Sequence, residues 1–292
     1  MVPPNEETGA QTPVDTIPIR WRPLPPSVAQ GRLEAAADDA ANEKVAAPRI
    51  AAVLAACKLA GQELERLHRG FADTTDLDLT GYSRASAIWL LSGRTLGLLH
   101  ALLAQVEAGI CTEAVVTGRA IHEAARVLFA FGAPEADDLV RLWLDDQGRH
   151  RYVRQGAARD AEETYEKALA EAMKAAGVPP ISSTRDMTEL LYDRMSRVAH
   201  SRRSSCVDAV WVRGRMMPYG HHPSAIRRAG YATWAAAMTV EVVNSVGDAL
   251  RALYSQERFF TEHMRPLITS IEAVRQSTPL DELSIRRAAG TA

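Results

Sequence analysis

The chain has 292 residues, of which 47% are hydrophobic and 24% charged, the balance of an ordinary soluble globular protein. A formal net charge of −2 excludes a uniformly basic polyanion binder, so any contact with nucleic acid has to come from a local patch. Cys57, Cys111 and Cys206 are odd in number and widely spaced, which argues against a disulfide framework and for a reducing compartment.

In chain order, residues 1–30 hold seven of the fifteen prolines and little periodic apolar content, so they read as a flexible or peripheral arm, with Trp21 available to tack it onto the body. The start MVPPNEETGAQTPVDTIPIRW lacks the basic-then-apolar pattern of a secretory signal. From about residue 31 the chain turns to Ala, Leu, Glu and Arg, all good helix formers. A first helix is expected over about 31–69, interrupted near Pro48. A second spans about 82–108 and ends at Gly109, and a third spans 111–131 and stops at Gly132. The most lipid-like stretch, AIWLLSGRTLGLLHALLAQV over 87–106, contains Arg94 and His100. Both would be costly at a bilayer centre, so it reads as a core helix, with His100 a hydrogen-bonded core histidine. The expectation is a cytoplasmic protein with no membrane contact.

Pro134 suits the first turn of a fourth helix, roughly 134–176, closed by Gly177 and Pro179-Pro180. Ser183 and Asp186 resemble a cap for a fifth, about 184–201. The stretch 202–222 is irregular, with VDAVWV suited to one short strand. Pro223 opens a sixth helix to about 255, Pro266 breaks or bends a seventh, and the polar tail after 276 is expected to fray. No repeat and no two-residue alternation of a sheet appears. The expected fold is all-α, a single-domain bundle of six or seven helices over 31–275, with the arm at 1–30 and a polar tail at 276–292.

On the fifth helix, Met187, Leu190, Leu191, Met195 and Val198 fall within an arc of about 140° at 100° per residue, and Arg194 lies near its middle. A guanidinium there has to snorkel out or find a carboxylate. In VVTGRAIHEAARVLF of the third helix, Arg119 and Glu123 are spaced i, i+4, and Glu123 borders an apolar arc of Val116, Ala120, Val127 and Phe131. Glu123 is therefore expected to approach Arg194, either as an architectural ion pair or as part of a site.

Charge is also concentrated. Between residues 194 and 228 stand eight arginines (Arg194, Arg197, Arg202, Arg203, Arg213, Arg215, Arg227, Arg228) against one acid, Asp208. His200, His221 and His222 add donors, and Trp211 and Tyr219 add stacking surfaces. Such a patch suits a phosphate backbone or a nucleotide, or equally an acidic protein face.

Arg194 to His200 is R-x5-H at the end of a helix, which resembles the HEPN superfamily of all-helical nucleotide-binding proteins, whose signature is an Arg, four to six residues and a His. The chain also resembles a branch of helical bacterial proteins with an R-x3-E helix, here Arg119 and Glu123. That branch adds a Y-x-x-(L/M)-S-x-x-x-H helix, here Tyr192, Met195, Ser196 and His200. The likeness covers roughly residues 82–255. It implies metal-independent RNA cleavage at the cleft of a homodimer, with Arg194 holding the scissile phosphate. His200 would handle the 2′-hydroxyl proton or the leaving group, and the context would be a toxin or phage-defence effector. Arg197 shares the His200 face and is a further phosphate ligand, followed by Arg202, Arg203, Arg213, Arg215, His221 and His222. The other reading is a non-catalytic interaction protein whose basic segment 202–228 docks an acidic partner.

No cofactor or metal is expected. His200, Cys206, His221 and His222 match no common zinc spacing, and paired Glu-x-x-His helices are absent. There is no phosphate-binding glycine loop and no G-x-S-x-G elbow.

Overall fold

The computed structural model describes residues 26–74, 83–132, 136–145, five helical positions within 167–174, 211–212, 215–216, 224–254 and 258–292; within the first helix, side chains are described from residue 37 onward. Seven α-helices stand among these residues: α1 Pro26–Thr74, α2 Arg84–Glu107, α3 Cys111–Phe131, α4 Asp137–Asp145, α5 Ala225–Tyr254, α6 Arg265–Ser277 and α7 Glu282–Ala289. The protein is all-α. The sole extended pieces among the described residues are two-residue strands, β1 Trp211–Val212 and β2 Arg215–Met216, paired antiparallel with Trp211 opposite Met216. The short strand expected within VDAVWV thus includes its last two residues.

Four helices make the core. The ends of α2 and α3 follow from local chemistry. Ser83 caps α2, its hydroxyl accepting from Ser86 N–H at 3.0 Å. At the other end Gly109 takes φ 78°, with Gly109 N–H donating to Val106 O and Ile110 N–H to Gln105 O. This αL cap with paired back-bonds reverses the chain within two residues, so α3 returns antiparallel to α2. α5 runs parallel to α1. At one end Arg228 bonds Glu43 at 2.5 Å and Ala225 N–H donates to Asp39, and at the other the Tyr254 hydroxyl donates to Leu67 O at 2.8 Å. Ala225, Ala229, Ala232, Ala235 and Ala236, all buried, recur with helical spacing along α5 and let its neighbours approach closely. Leu54, Leu64, Leu99, Leu102, Leu128 and Leu250 fill the space between the four helices.

Several expectations are corrected. α1 runs unbroken through Pro48 and begins at Pro26, inside the stretch read as an arm. Pro48 sits on the exposed side of α1, and the buried positions on either side of it (Ala46, Ile50, Val53, Leu54) hold the helix to the core despite the lost hydrogen bond. The expected frayed tail contains a helix instead. Asp281 caps α7 by accepting from Ser284 N–H at 2.9 Å, Gly290 at φ 69° ends it, and Leu280 and Ile285 are buried. Thr291 then bonds Asn42 on α1. His100 is no core histidine: its side chain is 41% exposed, 3.5 Å from Glu65 on α1. On α3, Val116 is 45% exposed, because the buried face turns instead through Val115, Ile121, Ala125 and Leu128.

A five-residue π-helical turn, Phe260–Met264, precedes α6, and Pro266 lies in the first turn of α6, where its missing N–H is harmless. Residues 37–73 of α1, and α2, are long and apolar enough to cross a membrane by length and composition. In the fold, 39% and 50% of their apolar windows are buried against the rest of the bundle. Pro134 and the helix expected over 184–201 lie outside the described residues, as does most of the one expected over 134–176.

Candidate functional site

Among the expected site residues, Arg194, Arg197, His200, Arg202, Arg203, Arg213, His221, His222, Tyr192 and Ser196 lie outside the described residues, and so does the expected approach of Glu123 to Arg194. Arg215 is placed by its backbone, in β2 opposite Val212. The two remaining positions, Arg119 and Glu123, come together on α3: Arg119 Nε donates to Glu123 Oε1 at 2.9 Å. Arg119 is largely buried, its side chain 14% exposed, while Glu123 is half-exposed.

This pair belongs to a longer polar seam. Arg119, His122, Glu123 and Arg126 fall within an arc of about 100° on α3. His122 is buried, and its Nδ1 lies 2.6 Å from Oε1 of Glu241 on α5. One turn earlier, Gly118 lets the helices meet: a Cβ there would stand 2.3 Å from the Trp234 ring. Glu241 is 23% exposed and has buried Met238, Val242 and Val243 as near neighbours in sequence along α5. Seven residues further along the same face, burial raises the Asp248 carboxyl above its ordinary range, and Arg251 at 3.5 Å opposes that shift.

Sequence reasoning reached half of this seam. The i, i+4 spacing of Arg119 and Glu123 is local and legible. The His122–Glu241 contact joins residues 119 positions apart, and its signal was an acid isolated in MTVEVV, a charge on an apolar face of the same kind as Arg194.

Electrostatically the seam balances itself, with two guanidiniums, two carboxylates and an imidazole. Its geometry ties two parallel helices and fixes the imidazole by its Nδ1. Among the described residues, no group of three or more His, Cys, Asp or Glu side chains could hold a metal ion. Of the arginines in the 194–228 patch, Arg228 is used inside the fold, on Glu43, while Arg227 is exposed. No protein-family model, curated protein or solved structure matches the chain.

Proposed function

We propose that this chain is a HEPN-like effector of toxin or phage-defence type that acts as a homodimer, binding RNA or cleaving it without a metal. Arg194 holds the scissile phosphate and His200 moves the proton of the 2′-hydroxyl or leaving group. Arg197, Arg202, Arg203, Arg213, Arg215, His221 and His222 track the strand. The observation that carries this reading is the charge concentration over residues 194–228, eight arginines against Asp208 in a chain of net charge −2, six of them ahead of α5. An all-α bundle with its R-x3-E helix set into a polar seam is consistent with it. Incubating the purified protein with total RNA in EDTA tests it, and RNA left intact at every salt and pH retires the catalysis.

A second reading has its own observation. Arg119 closes on Glu123 and Arg228 on Glu43, so one member of the motif pair and one member of the basic patch already serve the architecture. On that reading the bundle is a non-catalytic interaction protein, and its basic segment docks an acidic partner.

A further inference from the structure

We propose that the cleft between α5, α6 and the α6–α7 turn binds a small zwitterion carrying a second cationic group, the chemistry of a basic amino acid. The cleft holds about 770 Å³ and opens to solvent, within the roughly 300–1,000 Å³ of small-molecule sites. One wall is a stripe of α5 at helical spacing, Ile226, Gly230 and Thr233, and the other is Glu272, Arg275 and Gln276 on α6. Residues 278–282 close one end. This frame stands before any ligand arrives. Arg49 on α1 donates to Pro279 O at 2.8 Å, and Ile271, Leu280 and Ile285 anchor α6, the turn and α7 in the core.

Gly230 keeps the α5 wall bare. A glycine inside a 30-residue helix is less favourable than alanine, and a Cβ there would meet nothing within 4 Å, so packing among the described residues does not call for it. A ligand lying against the α5 backbone would.

Charge defines the ligand. Of the ionised side chains lining the cleft, Asp281 caps α7 and Glu282 pairs with Arg286 at 2.7 Å. Glu272 and Arg275 remain, and neither forms an ion pair or hydrogen bond among the described residues. Glu63–Arg66, Asp138–Arg141 and Asp248–Arg251 have the same i, i+3 spacing and close on themselves. Glu262–Arg265 stays open, with its acid in the π-turn, whereas Glu272 and Arg275 stay open on regular helix and at the cleft. A ligand bearing both charges satisfies both, its ammonium on Glu272 and its carboxylate bidentate on Arg275. Three carboxylates line the cleft against one guanidinium, so a second cation on the ligand is favoured and a second anion is not. Ile226 and Pro279 offer apolar surface to the methylenes between.

The site uses no residue of the ribonuclease reading and stands or falls apart from it. Isothermal titration of the full chain with L-lysine, cadaverine and L-glutamate tests it. Lysine should bind, cadaverine, which lacks the carboxylate, should bind about tenfold more weakly, and glutamate should give no heat. Arg275→Gln should bring lysine down to the level of cadaverine and leave cadaverine no weaker. Gly230→Leu places a good helix former in open space, so it should abolish lysine binding with a melting temperature unchanged or raised. Absence of heat from lysine at millimolar concentration overturns the proposal. So does lysine binding that ignores Arg275→Gln or persists in Gly230→Leu.

Discussion

Nδ1 of His122 lies 2.6 Å from Oε1 of Glu241, and this contact joins α3 to α5 in the interior of the bundle. Removing the imidazole takes this partner from a carboxylate that is only 23% exposed. His122→Ala is expected to cost about 1–3 kcal/mol in urea unfolding. Glu241→Gln keeps a hydrogen-bonding group and should cost less. A double-mutant cycle giving no coupling between the two positions would contradict the contact.

The approach of α3 to α5 depends on Gly118. A methyl group there would stand 2.3 Å from two carbons of the Trp234 ring, which is rigid and part of the seam. Gly118→Ala is expected to destabilise by about 1–3 kcal/mol. Gly247→Ala meets Met264 at 2.5 Å, but a methionine side chain can rotate away, so the loss should be smaller. Thermal melts of the two variants, compared directly, check the order.

How far these features were legible depends on whether their cause is local. The ends of α2 and α3 are written in Gly109 and Gly132, and the boundaries expected there lie within two residues of those observed. Pro48 was read as an interruption because a single residue's preference was set against no knowledge of the core face around it. α7 was missed although Asp281, Ser284 and Gly290 spell a cap at each end, because eight mostly polar residues give too short a periodic signal. His100 was misplaced among leucines because a helical wheel does not show which neighbour covers which face. Glu241 finds His122 only after the chain has folded, so its partner was invisible.

His68 provides a pH test. It is buried, stacked on Trp89 with ring centroids 4.7 Å apart, and its Nε2 bonds Trp89 O at 2.8 Å. Burial lowers its pKa, outweighing the backbone hydrogen bond that raises it. The unfolded chain therefore binds more protons than the folded one once the pH drops below about 6.5. The neutral imidazole's contribution is complete above that pH and declines as the pH falls toward the folded-state value. Denaturant unfolding should show the wild type losing more stability than His68→Gln between about pH 7.5 and about pH 5.5. Equal losses would mean that His68 is not held neutral.

Two thiols are sealed in the bundle. Burial raises Cys57, and it pushes Cys111 up to about 12. Both should resist a disulfide reagent near neutral pH in a Cys206→Ser variant and react at once in denaturant. Titration of two thiols in the native variant would show that the packing between α1, α3 and α5 is looser than described.

The sharpest experiment on the ribonuclease reading pairs RNA cleavage in EDTA with a melting curve, for the wild type, His200→Ala and Arg194→Ala. A nuclease with His200 at its centre loses cleavage in His200→Ala while its melting temperature hardly moves. If no protein cuts RNA, His200→Ala is silent and Arg194→Ala alone destabilises, by about 3–5 kcal/mol, the arginine is architectural and the ribonuclease assignment is wrong.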